Sequence, residues 1–268
     1  MQHLKKVFLK CRKFWISINP KKSHFSLEEG KLLGHIVSAA GVRIDPERVK
    51  AIHTLFVPRS KKDIQSFLGK IKFVRRFIPN FAELVKNITF MVKKGSEIKW
   101  TNAARKYFED IKRAIMESPT LINSDYNEEF HIFSFSSCDT LAAVLLQKDG
   151  EGTEYLVAFF SKTLRDAELR YDIIEKQAYA LIKSLKAFRV YILHSKMIAY
   201  VPSTLVKDVL TQPDVDGRRA KWIAKLIEFN IELKPTKLVR GQGLAKLMVE
   251  ENCRMLDMNW ISTNSEGG

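Results

Sequence analysis

The chain has 268 residues, 46% of them apolar and 28% charged, and a formal net charge of +15. This composition suffices for a packed core and argues against disordered, collagen-like and coiled-coil classes. Cys11, Cys138 and Cys253 are odd in number and too far apart in the chain for a zinc ligand set, which predicts free thiols in a reducing compartment.

The excess of positive charge belongs to the first half of the chain. Residues 1–122 contain 26 Lys and Arg against 10 Asp and Glu, a net of +16, whereas residues 123–268 contain 19 against 20, a net of −1. A basic module joined to a neutral one predicts a polyanion-binding surface on the basic part alone. Nucleic acid is the first candidate for that polyanion, and an anionic membrane is the second.

The first fifteen residues form a basic segment with an amphipathic pattern. They contain five Lys and Arg, and no acidic residue occurs before Glu28. The apolar residues recur at helical spacing: Leu4, Val7, Phe8, Cys11, Phe14 and Trp15. We expect a helix that packs on a sheet, with a mitochondrial presequence and a membrane-bound helix as alternatives. The frequent charges argue against a secretory signal, and no apolar run reaches the ~18 residues of a membrane-spanning helix.

A turn and a hairpin follow this segment. Asn19-Pro20 is a turn signal, and the basic pair Lys21 and Lys22 comes directly after it. Residues 32–37 and 42–44 have the composition of two short strands around a tight turn. We therefore predict a single β-hairpin here.

Two helices are predicted next, each with a recognisable start. Pro46 suits the first position of a helix over 47–55. Ser60 and Asp63 have the spacing of a capping box for a helix from 61 to about 78. Its apolar stripe comprises Ile64, Phe67, Leu68, Ile71, Val74 and Ile78. Its cations lie largely on other faces: Lys61, Lys62, Lys70, Lys72, Arg75 and Arg76.

The second half of the chain changes its hydrophobic period. A helix capped by Thr101 runs to 117, and strands alternate with helices after it. The strands are predicted at 131–137, 141–147, 154–161, 197–201 and 229–234, and the helices at 165–193, 204–210, 217–226 and 243–250. Three antiparallel strands followed by αβαβ elements predict a mixed five-stranded sheet with flanking helices.

In order and spacing, several motifs resemble the middle of a gypsy-class LTR retrotransposon polyprotein. The motifs are Asn19-Pro20-Lys21-Lys22, Leu33-Gly34-His35-Ile36-Val37, Ile44-Asp45-Pro46, Phe67-Leu68-Gly69, Arg75-Arg76-Phe77-Ile78-Pro79 and Trp100-Thr101. Tyr200-Val201-Pro202-Ser203 and Lys234-Pro235-Thr236 look closest to the plant Tat-like lineage. The resemblance implies a primer-grip-like hairpin that contains Leu33, Gly34 and His35.

The resemblance also implies a domain division and an α+β or α/β fold. Residues 1–45 would be a palm remnant, formed by a helix and a β-hairpin, and residues 46–122 a helical, basic thumb. Residues 123–251 would be an RNase H-like, or connection, domain with a mixed five-stranded sheet, followed by a tail over 252–268.

The carboxylates that the related enzymes use are missing from the corresponding positions. The palm Asp-Asp pair of a reverse transcriptase does not occur in this chain. An RNase H needs carboxylates around two metal ions. Aligned on Ala142-Ala143-Val144-Leu145, the family's ligand positions fall on Phe135, Gln177, Pro202 and Lys246. Asp139, Glu175 and Asp208 lie nearby in sequence, but we expect none of them to restore a metal centre.

These observations lead to a first hypothesis: a retroelement fragment that binds and positions a duplex without catalysis. We expect no catalytic residue, metal or cofactor, since Mg²⁺ belongs to the intact family enzymes, and no membrane or small-molecule partner. The expected partners are an RNA/DNA hybrid or a DNA duplex, and other parts of the polyprotein. The phosphate contacts are assigned to Lys21, Lys22, Lys61, Lys62, Lys70, Lys72, Arg75 and Arg76.

Two other hypotheses are kept. One is an active ribonuclease H with displaced carboxylates, and the other is a membrane or organelle peripheral protein that uses its first helix. For the first hypothesis we expect an intracellular location, cytoplasmic or nuclear, without secretion.

Overall fold

The computed structural model describes residues 2–212 and 217–235. Within them, the chain forms a small three-stranded sheet, a group of helices and a five-stranded mixed sheet with helices on it. This confirms the predicted α+β architecture. The helix predicted at 243–250, the tail and Lys246 lie outside the described residues.

The N-terminal helix α1, Gln2–Lys13, has no buried residue. Val7 and Phe8 are exposed, and Trp15, just beyond the helix, is 93% exposed. The ring of Phe8 meets that of Phe25 edge to face, with 5.4 Å between centroids. The prediction that this helix packs on a sheet is therefore wrong, because none of its apolar side chains is fully buried. The presequence and membrane hypotheses stay untested.

The first sheet has three antiparallel strands rather than the predicted two. They are β1, Glu29–Leu32, β2, His35–Ser38, and β3, Gly41–Ile44. Leu33 and Gly34 connect β1 to β2, with φ angles of 50° and 81°. Two successive positive φ angles define a tight hairpin turn, which the apolar run 32–37 concealed. The sequence prediction therefore assigned residues 32–37 to one strand, whereas the structure has the end of β1, the turn and most of β2 there.

Four α-helices follow: α2, Pro46–His53, α3, Lys61–Lys72, α4, Phe81–Met91, and α5, Asn102–Met116. The capping box of α3 is present, since Asp63 N–H donates to Ser60 Oγ at 3.1 Å and Ser60 N–H donates to Asp63 Oδ2 at 3.0 Å. Thr101 caps α5 by accepting from Ala104 N–H at 3.2 Å. The predicted starts of α3 and α5 are confirmed.

The helix predicted to run to about residue 78 ends early. After Lys72 the chain continues into a short 3₁₀ helix, Arg75–Phe77. Val74, Phe77 and Ile78 are completely buried along this path. Helix α4 was not predicted at all.

The five-stranded sheet confirms the predicted topology. Its strands are β4, Phe130–Ser136, β5, Thr140–Lys148, β6, Glu154–Thr163, β7, Met197–Val201, and β8, Ile231–Pro235. The order is β6-β5-β4-β7-β8, in which β4 to β6 are antiparallel and β7 lies parallel to both β4 and β8. One face carries helices α6, Ile173–Ile192, α7, Thr204–Thr211, and α8, Arg218–Leu226.

Helix α6 begins later than predicted. A short 3₁₀ helix, Asp166–Arg170, precedes it, and Asp166 has a φ of 46°. Asp172 has extended backbone angles and caps α6 by accepting from Glu175 N–H at 2.7 Å. The region from 165 to 172 is therefore a break that the helical periodicity did not reveal.

Helix α4 joins the first half of the chain to the other face of the sheet. Ala82 N–H donates to Ser161 Oγ at 2.9 Å. Lys86 Nζ lies 2.7 Å from a Glu83 carboxylate oxygen and 2.8 Å from Asp139 Oδ2. One hydrophobic core accordingly includes side chains of α3, α4 and α5 together with residues of β4, β5 and β6. In the described ranges, 2–212 and 217–235, no helix is long and apolar enough to cross a membrane.

Candidate nucleic-acid interface

Helix α3 has one buried face and one exposed polar face. Ile64, Phe67 and Ile71 are buried in the core. The opposite face exposes five residues at helical spacing, which we call the α3 surface: Lys62, Gln65, Ser66, Gly69 and Lys72. Lys70 is exposed at its margin. The predicted cations therefore flank a strip of small and uncharged side chains.

Gly69 lies in the middle of this exposed face, and nothing in the surrounding structure requires a glycine there. A Cβ atom placed there would meet no other atom within 4 Å, and its φ lies outside the left-handed region. Glycine in a helix interior costs about 1 kcal/mol of stability relative to alanine. An exposed glycine of this kind allows another molecule to approach the helix backbone closely.

The C-terminal end of α3 meets the hairpin that contains His35. The ring of His35 stacks on Phe73, with 5.6 Å between centroids, and contacts Phe77 edge to face at 5.3 Å. The Arg48 guanidinium lies 4.4 Å from the centre of the Phe73 ring. The α3 surface and the predicted primer-grip-like hairpin are thus neighbours. Arg48 was missed by the sequence reasoning, because nothing in its spacing indicates this contact.

The hairpin tip, Leu33-Gly34, has a conformation that its residues only partly suit. A Cβ atom at Gly34 would lie 2.5 Å from Nε of Arg48, and the φ of 81° is one that other residues rarely adopt, so glycine suits this position. Leu33 takes a φ of 50° and is 85% exposed. A bulky residue in the left-handed region is strained, and such strain persists mainly where structure or function requires it.

His35 has an electropositive and partly buried environment. Burial lowers its pKa, and the positive charges of Arg76 and Arg48 lower it further. In the described part of the chain, Nδ1 of His35 and Nε of Arg76 are buried without a hydrogen-bond partner. The ring is therefore neutral at pH 7, between two cations.

The remaining predicted cations have different surroundings. Arg75 is exposed, whereas the Arg76 guanidinium lies 5.1 Å from the centre of the Phe77 ring and is only partly exposed. Lys61 donates to the carbonyl oxygen of Lys93 at 3.0 Å. Arg75 therefore extends the α3 surface, while Lys61 and Arg76 also hold the local structure together.

Lys21 and Lys22 are exposed in a turn around Asn19, whose Oδ1 accepts from Lys21 N–H at 3.0 Å. Among the described residues, no hydrogen bond, ion pair or ring contact joins this turn to α3. Lys31 and Arg43, also near the hairpin, are ion-paired with acidic side chains, Lys31 with Glu47 at 3.0 Å and Arg43 with Glu29 at 3.0 Å. Their charges are thereby already neutralised.

The alignment predicts four positions at which metal-binding carboxylates have been lost. Three of them lie at or near the carboxyl end of β4. Gln177 of α6 accepts from Ser136 N–H at 2.9 Å and donates to Ser136 C=O at 2.7 Å. Phe135 is buried and pairs with Ala142 of β5. The parallel pairing of β4 with β7 ends at Phe133 and Tyr200, and Phe135 and Pro202 each lie two residues further along their segments. None of these three side chains can ligate a cation as a carboxylate does.

The nearby carboxylates are engaged elsewhere. Asp139 lies in the β4–β5 turn and pairs with Lys86, as described above. Both carboxylate oxygens of Glu175 accept from Arg218 at 2.8 Å, and Arg219 Nε lies 3.3 Å away. Asp208 is on α7. Across residues 2–212 and 217–235, no three His, Cys, Asp or Glu side chains cluster closely enough for a metal ion. The described residues do not fit a two-metal centre.

Comparison with known proteins agrees with this fold. Residues 100–199 match the family described as the RNase H-like domain found in reverse transcriptase. The retrovirus-related Pol polyprotein from transposon 297 of Drosophila melanogaster is 29% identical over 92% of this chain and 23% of that polyprotein. The transposon Tf2-3 polyprotein of Schizosaccharomyces pombe is 27% identical over 87% of this chain and 18% of that polyprotein. The chain therefore spans about a fifth of the length of these relatives.

A solved structure shows the same architecture. The foamy viral protease-reverse transcriptase in complex with double-stranded DNA is 26% identical, with a TM-score of 0.64 over 82% of this chain and 47% of that one. The fold and these comparisons show an RNase H-like domain of the kind found in reverse transcriptases. The chain is similar to part of the Pol polyproteins of retrotransposons.

Proposed function

We propose that this chain binds a nucleic-acid duplex through its α3 surface and Arg75, and that it positions the duplex without cleaving it. The observation that carries this proposal is the exposed face of α3. Lys62 and Lys72 flank a glycine at which a sugar-phosphate backbone can approach the helix. Phosphate contacts of this kind orient a duplex but do not read its sequence.

The proposed partners are a DNA duplex and an RNA/DNA hybrid, together with other parts of a retroelement polyprotein. The foamy viral relative was solved with double-stranded DNA, which supports the first of these. We also assign the chain to the gypsy class and the plant Tat-like lineage on the motifs given above. A cytoplasmic or nuclear location accompanies this proposal.

The absence of cleavage is part of the proposal. It is supported by Phe135, Gln177 and Pro202, which stand at the positions that the sequence alignment above assigns to the carboxylates of the related nucleases. The runner-up, an active ribonuclease H, would have to build its metal site from Asp139 or Glu175. Each of these is already paired with a cationic side chain.

The test uses the full 268-residue chain and labelled 20-base-pair duplexes. With about four phosphate contacts, affinity measured by fluorescence anisotropy should fall roughly 100-fold between 50 and 200 mM salt. Binding that does not respond to salt contradicts the proposal. Incubation of the hybrid with Mg²⁺ or Mn²⁺ should leave the RNA strand intact. Cleavage that disappears in Asp139→Asn or Glu175→Gln would establish the runner-up, whereas cleavage that persists in both variants indicates a contaminating nuclease.

Substitution of Gly69 separates a binding role from a structural one. Gly69→Ala should raise the free energy of unfolding by about 1 kcal/mol, because alanine is the better helix former. The same change should weaken duplex binding several-fold by keeping the backbone away from the helix, and Gly69→Leu should weaken it more. Denaturant unfolding and anisotropy measure the two effects.

Ser66→Ala is the matched control for Gly69. It lies on the same exposed face and favours the helix in the same way, but it adds no volume. Its duplex affinity should stay within twofold of the unsubstituted chain. Unchanged affinity in Gly69→Leu would show that no backbone approaches α3 at this point.

A further inference from the structure

An open cleft of about 410 Å³ lies between the first sheet, helix α2 and the end of helix α5. We call it the α2–α5 cleft. Its floor is apolar, because the lining residues Ile44 of β3 and Ile115 of α5 are only 4% and 1% exposed. Val49 of α2 and Met116 of α5 add further apolar surface. A concave apolar surface of this volume has the size of a small-molecule site.

The charges around the cleft are of one sign. The lining side chains that can carry a charge are Arg43, Lys50 and His53, and no acidic residue belongs to the lining. Arg43 donates to both carboxylate oxygens of Glu29, at 3.0 and 3.1 Å, so its charge is already neutralised. Lys50 and His53 are exposed one helical turn apart on α2, and among the described residues their side chains have no hydrogen bond or ion pair. An anion can therefore bind them without displacing a partner.

The walls of the cleft are fixed by hydrogen bonds. Val42 N–H donates to the carbonyl oxygen of Leu121 at 2.7 Å, and Leu121 N–H donates to that of Val42 at 2.9 Å. These two bonds hold β3 against the segment that follows α5. Asp45 caps α2 by accepting from Glu47 N–H at 3.1 Å. The cleft is thus formed before any ligand arrives, which reduces the entropy cost of binding.

We infer that the α2–α5 cleft binds a small organic anion with an apolar body, of the class of aromatic sulfonates and carboxylates. The apolar body lies on Ile44 and Ile115, and the anionic group faces Lys50 and His53. A phosphodiester suits this cleft poorly, because an apolar floor offers no partner to its sugar and phosphate oxygens. No small-molecule partner was expected from the sequence, because the cleft is formed by three segments, two of them far apart in the chain. This inference is independent of the proposed duplex binding.

Methionine NMR tests the cleft directly. The full chain is labelled with ¹³C on the methyl groups of its seven methionines and titrated with naphthalene-1-sulfonate. The Met116 resonance, identified with Met116→Leu, should shift with a Kd on the order of 1 mM or tighter, as expected for a probe of this size. Met91 and Met197 are buried and do not line the cleft, so their resonances should stay in place. The inference is overturned if Met116 shows no saturable shift at about ten times that concentration.

Two smaller probes separate the apolar and the charged contribution. Naphthalene-1-methanol has the same ring system without the charge, and methanesulfonate has the charge without the rings. Each should bind at least about threefold more weakly than naphthalene-1-sulfonate, because each loses one of the two contributions. Equal affinity for the neutral alcohol would reject an anion site, and equal affinity for methanesulfonate would reject the apolar contact.

Variants of exposed residues locate the site without altering the core. Lys50→Gln should weaken the probe about two- to fivefold, the effect of one exposed charge. Lys106→Gln removes the same charge from an exposed position of α5 outside the lining and should have no effect. Thr120→Trp, at the exposed rim, should fill the cleft and abolish the Met116 shift, while unchanged Met91 and Met197 resonances show that the chain is folded. An equal effect of both lysine variants, or a Met116 shift that survives Thr120→Trp, contradicts the inference.

Competition with DNA separates this cleft from the duplex surface. A saturating 20-base-pair DNA duplex should leave the Met116 shift by the probe unchanged. Displacement of the probe would show that the cleft is part of a phosphate-binding surface, and would overturn the inference. Failure of the inference leaves the proposed function standing, because none of these variants changes the α3 surface.

Discussion

Reversal of three charges, Lys62→Glu/Lys72→Glu/Arg75→Glu, is expected to lower duplex affinity at least about 100-fold at 0.1 M salt. All three side chains are exposed on or beside the α3 surface, so their loss removes phosphate contacts without removing core packing. Because phosphates carry no base identity, the loss should be equal for duplexes of unrelated sequence. Anisotropy titrations with two such duplexes of equal length measure both effects.

Arg76 is left out of this variant for a structural reason. Its Nε is buried and its guanidinium packs on the Phe77 ring, so its substitution would alter the core as well as the charge. The control reverses the same number of charges at the ion-paired Lys99, Lys196 and Lys234. A loss below about threefold in the α3 variant, or a loss that depends on duplex sequence, contradicts the proposed contact.

Gln177→Leu is expected to destabilise the fold by about 2 to 5 kcal/mol. Gln177 is buried and satisfies both the N–H and the C=O of Ser136 at the end of β4. Leucine would leave both backbone groups buried without a partner, and each such group costs about 1 to 3 kcal/mol. Denaturant unfolding of the full chain measures the difference.

Gln177→Glu distinguishes a structural position from a vacant ligand site. The glutamate carboxylate can accept from Ser136 N–H, but it has no N–H to donate to Ser136 C=O and its charge repels that oxygen. This variant should therefore also be destabilised. It should show no Mg²⁺-dependent cleavage of a hybrid. Ser184→Ala is the control for removing a buried polar group, since its hydroxyl only donates to Ala180 C=O of the same helix. If Gln177→Leu unfolded within 0.5 kcal/mol of the unsubstituted chain, the structural role assigned to Gln177 would be wrong.

The local start and stop signals of the elements were readable in the chain. The Ser60–Asp63 capping box and the Thr101 cap are determined by side chains within three residues of the helix start. The strands β4 to β7 were found because their apolar runs are bounded by turn residues. The breaks after Lys72 and before Asp172 were missed, because they depend on which side chains the distant parts of the fold bury.

The candidate site was only partly predictable for the same reason. The cations of α3 follow from helical spacing, and Gln65 and Gly69 share that spacing, so the pattern already contained the signal for the whole strip. The contact of His35 with Phe73 and Arg48 joins three segments, and no periodicity reports it. The pairing of Lys86 with Asp139, and of Arg218 with Glu175, is likewise a product of the folded chain.

By itself, the order of residues determined the division into a basic half and a neutral half and the α+β class, and it predicts the loss of carboxylates at the aligned nuclease positions. Each of these depends on composition or on local spacing. Only the tertiary structure decided that Gln177 bonds to the backbone of Ser136 and that Asp139 and Glu175 are paired with cations. Such facts depend on distances between residues far apart in the chain, and packing sets those distances.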